Sequence, residues 1–206
     1  MKRAWLIGAV VLMMAAQAGA TAPGIDLVIT SINGSPISAR KEIAICMSDV
    51  VGLDVVYNGR PGYSLFGLGF RIAAVGGPGA LDVSGMTYDP EWDLAWEIID
   101  EIVPGLEYEI QESAQDLGID EDPAGVVVLD HILYHYEGGG ADIKIAIEDL
   151  DPGQLTYTQE VNWGTGDIQP LSFGEPVWIW EVPEPGAMML LGLGSLAALR
   201  RRRGRV

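Results

Sequence analysis

Short segments in which apolar and polar residues alternate, separated by turn-forming residues, constrain the fold of this chain most strongly. Residues 25–32 alternate and end at Asn33 and Gly34, a pair typical of two-residue hairpin turns. Residues 50–57 are followed by a second Asn-Gly pair. Alternation with a period of two gives a strand one core-facing side and one solvent-facing side. The pattern therefore predicts antiparallel β-structure.

The same pattern extends along the chain. It predicts further strands at residues 42–47, 63–75, 106–110, 143–147, 155–158 and 177–180. Gly67 and Gly69, inside the longest segment, indicate a bulge or a close backbone contact. No helical period recurs between the strands, which argues against a parallel α/β sheet. We predict an all-β fold, an antiparallel β-sandwich of eight or nine strands.

Two segments leave the type of element open. Residues 89–103 fit a helix that would place Trp92, Trp96 and Ile99 on one face. Residues 126–136 contain an apolar run that fits either a buried strand or a helical turn.

Charge divides the chain into two ends and a middle. Residues 21–182 hold five basic against 28 acidic residues, hence a formal charge of −23, while the other seven basic residues lie at the ends. An acidic domain of this kind is a poor nucleic-acid binder, so we expect no nucleic-acid partner. A single cysteine, Cys46, excludes a disulfide framework, and its apolar strand predicts a buried, inert thiol.

The N-terminus has the three parts of a secretory signal peptide. Lys2 and Arg3 precede an uncharged apolar run at 5–16, and Ala18 and Ala20 are the small residues that a signal peptidase reads. We expect cleavage after about Ala20. A retained membrane helix is the alternative, but the run is shorter than the roughly 20 residues that span a bilayer.

The C-terminus carries a second address. Pro183, Glu184 and Pro185 form a stiff, extended tether before an uncharged apolar stretch at 187–199. An arginine cluster then ends the chain and would stay on the cytoplasmic side of the membrane. It begins with Arg200, Arg201, Arg202 and Arg203. This order of parts closely resembles the PEP-CTERM sorting signal of Gram-negative bacteria.

That resemblance implies export through the inner membrane, transient anchoring by the C-terminal helix and removal of the tail by an exosortase. The protein would reach the cell surface or the extracellular matrix. A permanent tail anchor is the alternative. We thus divide the chain into a signal peptide at 1–20, an acidic β-sandwich at 21–181 and a sorting signal at 182–206, with short apolar helices at both termini.

A second resemblance concerns residues 125–145. An aromatic strand there leads through Gly138, Gly139 and Gly140 into an alternating strand. The order is similar to the late strand pair of cohesin-type domains, and it implies a nine-stranded, jelly-roll-like sandwich. No residue matches a dockerin contact of that family.

Catalytic and metal-binding patterns are sparse. His131 and His135 have the spacing of a zinc-binding helix, but the glutamate of HExxH is missing, and on a strand the two rings would be about 13 Å apart. We predict two ordinary histidines on a partly exposed strand, no catalytic residues and no enzyme. Residues 89–122 contain thirteen acids and no base. Asp116, Asp120 and Asp122 are candidate calcium ligands, with a solvated acidic surface as the alternative.

Tryptophans offer the remaining site. Trp178 and Trp180 share one strand face by period two. Core packing is the usual fate of tryptophan, whereas exposed rings on a sandwich can stack on sugars. Our leading hypothesis is a secreted structural or adhesive protein, with extracellular polysaccharide or surface proteins as possible partners. The alternative is a carbohydrate- or protein-binding module of cohesin-like type.

Overall fold

All regular secondary structure in the described part of the chain is β-strand. The computed structural model describes residues 23–89, 94–114, 119–120, 125–139, 141–150 and 158–182. The strands within these ranges are β1 Gly24–Ile32, β2 Ser35–Arg40, β3 Glu42–Ile45, β4 Val50–Asn58, β5 Ser64–Val75, β6 Gly79–Asp82, β7 Thr87–Tyr88, β8 Leu94–Val103, β9 Glu107–Ala114, β10 Ile119–Asp120, β11 Val126–Tyr136, β12 Ile143–Asp149, β13 Gln159–Asn162, β14 Asp167–Pro170, β15 Ser172–Phe173 and β16 Val177–Glu181.

The strands form two sheets that enclose one core. In the first sheet, β2 and β15 pair with one edge of β1, followed by β4, β11 and the short strands β6 and β7. In the second sheet, the strand order is β8, β9, β5, β12, β16 and β3. Two more strands, β10 and β13, pair with the first part of β5, and β14 pairs with β13. Most pairs are antiparallel, which confirms the predicted sandwich. The exceptions are the parallel pairs β1–β15 and β16–β3.

Alternation along the strands builds the core. In β1, Ile25, Leu27 and Ile29 are fully buried. Tyr57 and Phe70 are among the largest buried side chains from β4 and β5. Each fully buried aliphatic or aromatic side chain of this size contributes about 1.5–3 kcal/mol to folding. The period of two in the sequence is therefore the pattern of burial in the structure.

The turn after β1 behaves as its sequence predicts. Asn33 and Gly34 have φ angles of 50° and 72°, the left-handed values that a tight hairpin turn requires. The Asn33 amide also donates to Asp49 Oδ1 at 2.7 Å and accepts from the Val50 backbone N–H at 2.8 Å. One turn residue thus fixes the start of β4 as well as the β1–β2 hairpin.

The glycine-containing stretch of β5 contains the predicted irregularity. The register of β13 against β5 shifts opposite Gly67. The Thr158 hydroxyl, fully buried, donates to the Gly69 carbonyl at 2.7 Å and accepts from the Gly69 N–H at 3.0 Å. The Thr158 side chain therefore satisfies the backbone N–H and C=O of Gly69 at the point where the pairing of β5 with β13 is interrupted.

Both ambiguous segments are strands. Residues 94–103 form β8, so the helix alternative for that region is wrong: pairing with β9 over most of its length supplies backbone hydrogen bonds that a helix would make internally. Residues 126–136 form β11, which pairs with β4, β6 and β7. The predicted strand at 155–158 lies outside the described residues except for Thr158.

The signal peptide at 1–20 and the sorting signal from Pro183 onward also lie outside the described ranges, which begin at residue 23 and end at residue 182. Ala18, Ala20, the predicted terminal helices and the arginine cluster fall there. Within the described ranges, no helix has the length and apolar character needed to cross a membrane.

Candidate functional site

The last strand of the sandwich presents two tryptophans to solvent. In β16, Val177 and Ile179 point into the core and are fully buried, whereas Trp178 and Trp180 alternate with them and are 41% and 37% exposed. These two tryptophans therefore do not pack in the core, although most tryptophans in folded proteins do. Residues two apart on a strand are about 6.6 Å apart, so the two indoles lie along one line of the outer surface.

Neighbouring strands extend this outer face. Trp178 is opposite Lys144 of β12 on one side and beside Glu42 of β3 on the other. Lys144 is in turn opposite Val75 of β5, which is 66% exposed. Cross-strand partners point to the same side of a sheet. We call the surface formed by Trp178, Trp180, Lys144 and Val75 the tryptophan face.

The chemistry of the tryptophan face is that of a contact surface. Indole rings offer large apolar area with one N–H donor, and they bind well to ligands that have both C–H faces and hydroxyl groups. Lys144 adds a positive charge within a strongly acidic domain. Small side chains continue the same side of the sheet, because Ala146 of β12 is opposite Ala73 of β5.

A third exposed tryptophan lies elsewhere. Trp163 follows β13, is 48% exposed, and packs edge-on against Phe66 with ring centroids 5.8 Å apart and an interplanar angle of 78°. It provides a matched comparison for the two residues of β16, since it is exposed to a similar extent outside the tryptophan face.

β16 is also the strand from which the C-terminal segment leaves the sandwich. The Glu181 carboxylate accepts from the Tyr136 hydroxyl at 2.7 Å and from the Gly139 N–H at 3.1 Å. The Val182 N–H donates to the Ile45 carbonyl at 2.7 Å. The folded domain therefore holds the chain up to the residue immediately before Pro183.

The two histidines lie on β11 and contact different carboxylates. His131 Nδ1 is 2.9 Å from Asp130 Oδ1, whereas His135 Nε2 is 3.6 Å from Asp82 Oδ2. Both side chains are exposed. The prediction of two surface histidines on a strand is confirmed.

Asp130 and His131 belong to a polar cluster on the outside of the first sheet. The hydrogen bond to Asp130 and the charge of that carboxylate raise the pKa of His131. Burial alone would raise the pKa of Asp130, but hydrogen bonds from His131 and Thr87 outweigh it and lower that pKa. Nearby Asp54 has a raised pKa because of burial, partly offset by a hydrogen bond from Thr30. The cluster is a charge network between β4, β7 and β11.

Lys41 is a structural cation. Its Nζ donates to the Leu27 carbonyl at 2.6 Å and to the Glu175 carbonyl at 2.7 Å, and it pairs with Asp26. These three contacts use all three ammonium donors. Lys41 thereby joins β1 to the segment before β16, beside a surface depression that Asp26 and Ser172 also line.

Cys46 corrects one expectation. The thiol is exposed, not buried. β3 ends at Ile45, so Cys46 lies in the turn that follows. The strand alternation that would have directed its side chain into the core does not extend to that turn. Its backbone N–H donates to Asp49 Oδ2 at 2.7 Å.

The calcium candidates are only partly covered by the structure. Asp116 and Asp122 lie outside the described residues, and Asp120 is described through its backbone pairing with Ser64 in β10 and β5. Among the residues that the structure does describe, no group of three or more His, Cys, Asp or Glu side chains is arranged to hold a metal ion.

Sequence reasoning missed a buried ion pair. Glu160 of β13 is fully buried; its Oε1 lies 2.8 Å from Arg60 Nη1, and its Oε2 accepts from the Tyr57 hydroxyl at 3.1 Å. Arg60 also lies over the Tyr63 ring, 5.8 Å from its centroid. The one available signal was the scarcity of bases: each of the five basic residues in so acidic a domain is a candidate for a structural ion pair.

Comparison with known protein families matches the C-terminal segment of the chain to a sorting motif. Residues 181–203 match the PEP-CTERM protein-sorting motif. The chain thus carries the predicted signal for export and membrane-associated sorting in Gram-negative bacteria, on a β-sandwich. The match begins at Glu181, the last residue of β16, so the folded domain and the motif share that residue.

The sandwich itself is similar to cohesin domains. It is 8% identical to the sixth cohesin of Acetivibrio cellulolyticus scaffoldin B, solved with a dockerin, covering 79% of this chain and 100% of that one with a TM-score of 0.49. It is 10% identical to a cohesin from a Clostridium thermocellum cohesin–dockerin complex (77% and 99% covered, TM-score 0.49) and 17% to a type II cohesin of A. cellulolyticus ScaA (79% and 92%, TM-score 0.45). No curated protein sequence matches the chain. These likenesses assign no ligand to the tryptophan face.

Proposed function

We propose that this chain is a non-catalytic binding module, exported and sorted to the cell surface, that attaches to extracellular polysaccharide through the tryptophan face. The observation that carries the proposal is the exposure of Trp178 and Trp180 on one face of the strand that leads directly into the sorting motif. An exposed aromatic pair is costly to leave in water and is typical of a contact surface.

The charge of the domain narrows the class of ligand. Residues 21–182 carry a formal charge of −23, so a polyanionic polysaccharide would be repelled over much of the surface. A neutral polysaccharide meets no such repulsion. Its pyranose rings have apolar C–H faces that pack on indole and hydroxyl groups that hydrogen-bond beside it. We therefore infer a neutral polysaccharide ligand.

Affinity electrophoresis in gels containing neutral or anionic polysaccharides tests the ligand. Trp178→Ala and Trp180→Ala should each weaken binding to a neutral polysaccharide about tenfold, which corresponds to about 1.4 kcal/mol. Trp163→Ala, which removes an indole of similar exposure outside the face, should bind as the unmodified protein does. Equal weakening by all three variants, or retardation by anionic polysaccharides alone, would overturn the assignment. Binding to a surface protein unaffected by polysaccharide would favour a protein-binding module instead.

Sorting is tested separately. We propose that the mature protein begins near Thr21, that residues 21–181 form the folded module and that Pro183, Glu184 and Pro185 carry recognition by an exosortase. Replacing those three residues by alanine should leave a full-length, membrane-associated form in a host that has an exosortase, whereas the unmodified protein loses its tail. Equal processing of both proteins would leave the motif without a role in sorting.

A further inference from the structure

The second sheet ends in a long strand with one open edge. β8, Leu94–Val103, pairs with β9 and is flanked on its other side by no strand from the described residues. Its middle is regular, because the six residues from Trp96 to Glu101 pair one to one with β9. Unpaired N–H and C=O groups along such an edge are a template for an additional strand.

The β8 edge is unusually apolar for a solvent-facing strand. Ile98, Ile99, Ile102 and Val103 are 43%, 38%, 46% and 38% exposed, and Leu106 of the following turn is 38% exposed. Contiguous exposed apolar residues of this kind mark interaction surfaces. Both sides of the strand take part, because neighbouring residues such as Ile98 and Ile99 point to opposite faces.

Each face of the edge also carries a carboxylate. Asp100 shares a face with Ile98, and Glu101 shares one with Ile99. The Glu101 carboxylate accepts from the Gly105 N–H at 2.7 Å and the Tyr108 hydroxyl at 2.9 Å. On β9, the carboxylates of Glu107 and Glu109 are already paired with Arg71. Within the described part of the β8–β9 hairpin, the charges that remain available to an added strand are therefore negative.

This charge argues against a second copy of the chain as the occupant. Antiparallel pairing of β8 with its own copy centred on Ile99 places Glu97 opposite Glu101, and pairing centred on Asp100 places that carboxylate opposite its copy. Like charges directly opposite on a sheet are destabilising. A register centred on Ile98 avoids such pairs, but it still brings together two domains that each carry a formal charge of −23. The edge is complementary instead to a strand that places two consecutive basic residues opposite Asp100 and Glu101 and apolar residues opposite the two isoleucines before them.

We propose that β8 is a docking edge for an extended, basic and apolar segment of another protein, which adds to the second sheet as a further strand. Main-chain hydrogen bonds along 96–101 would supply the affinity. Ion pairs with Asp100 and Glu101, together with contacts to Ile98 and Ile99, would supply the selectivity. This surface is separate from the tryptophan face and does not depend on the polysaccharide proposal.

Fluorescence anisotropy with the full-length protein in detergent micelles tests the docking edge. The probe is a labelled octapeptide in which pairs of lysines alternate with pairs of valines, so that each face of the added strand carries both residue types. A glutamate–valine peptide should bind at least tenfold more weakly. A lysine–valine peptide with alternate backbone nitrogens methylated should also lose at least tenfold, because it keeps the charge but cannot complete the ladder. Equal binding of the methylated peptide would overturn strand addition.

Protein variants locate the contact. Asp100→Asn with Glu101→Gln removes two charges but keeps the acceptors, and it should weaken binding of the lysine–valine peptide at least fivefold. Asp142→Asn with Glu175→Gln removes the same charge from exposed positions away from β8 and should leave binding unchanged. Equal weakening by both double variants would show diffuse attraction to an acidic domain and overturn the proposal. Concentration-dependent dimers in sedimentation velocity that β8 variants abolish would replace it with self-association.

Discussion

At the scale of single residues, the Glu160 carboxylate has the most demanding environment. It is fully buried, and its contacts are the Arg60 guanidinium, the Arg60 backbone N–H at 3.3 Å and the Tyr57 hydroxyl. A buried charge is tolerated only where such partners compensate for lost hydration. The segment after β4 is thereby joined to β13 across about a hundred residues of sequence.

Removing the partner cation should therefore be costly. We expect Arg60→Ala to lower the free energy of unfolding by an amount near the lower end of about 3–5 kcal/mol, because Glu160 stays buried while the arginine is partly exposed. Urea denaturation of both proteins measures the difference.

Arg40→Ala is the matched control. The Arg40 side chain is exposed and donates from Nε to the Ser38 carbonyl at 3.0 Å, so its loss should change the unfolding free energy by less than about 0.5 kcal/mol. Similar losses for the two arginine variants would mean that the buried pair contributes nothing specific.

At the scale of elements, β11 combines a regular end with an irregular centre. Its register against β4 shifts twice between Val127 and Ile132, and His131 within this stretch has a φ of 59°. His135 lies where β11 is paired regularly with Ala80 and Val50. Two histidines of one strand thus occupy very different backbone conformations.

A β-branched substitution distinguishes these conformations. His131→Val should lower the free energy of unfolding by about 1–2 kcal/mol, because left-handed backbone is strained for such a side chain. His135→Val removes a histidine that also faces an aspartate, but valine suits its regular strand position, so we expect a change within about 0.5 kcal/mol. Thermal or urea unfolding compares the two. Equal effects would argue that the bulge carries no strain.

The His131–Asp130 pair should also be visible in titration. NMR of the imidazole should give a His131 pKa above 6.5 in the folded protein, and Asp130→Asn should lower it toward that value. Because the folded pKa is raised, the stability that this pair adds is fully present below pH 6.5. It disappears as the pH rises through the folded pKa. A His131 pKa unaffected by Asp130→Asn would contradict this assignment.

At the scale of the whole molecule, β16 closes the second sheet and leads into the sorting motif. It lies between β12 and β3, and it contributes the buried side chains Val177 and Ile179 to the core. We predict that residues 21–181 form a monomer with a strand-dominated circular dichroism spectrum. A chain ending at residue 176 should fail to unfold cooperatively, since β12 and β3 lose their common neighbour.

The comparison of these two truncations measures where the folded module ends. Both lack the tail, so a difference between them reports on β16 alone. Cooperative unfolding of the chain that ends at residue 176 would show that β16 is dispensable and that the module ends earlier. A helix-dominated spectrum for residues 21–181 would contradict the fold itself.

The sequence alone determined the features that depend on local periodicity and on chain-end order. Strands β1, β4, β5 and β12 and the Asn33–Gly34 turn follow from alternation and from backbone preferences, which act over a few residues. The sorting motif was equally readable, because its parts are contiguous and do not depend on the fold. Each of these signals is local, so it survives without knowledge of what packs against it.

Only the tertiary structure decided the rest. Alternation shows that Trp178 and Trp180 share a face but not which face meets the core, and that choice depends on Val177 and Ile179 packing against the opposite sheet. Residues 94–103 fit a helix until β9 supplies a pairing partner. Nothing local distinguishes Glu160 from the other acids, because its burial depends on Arg60, a hundred residues earlier. Such outcomes depend on contacts between distant segments, which exist only once the two sheets have closed on one another.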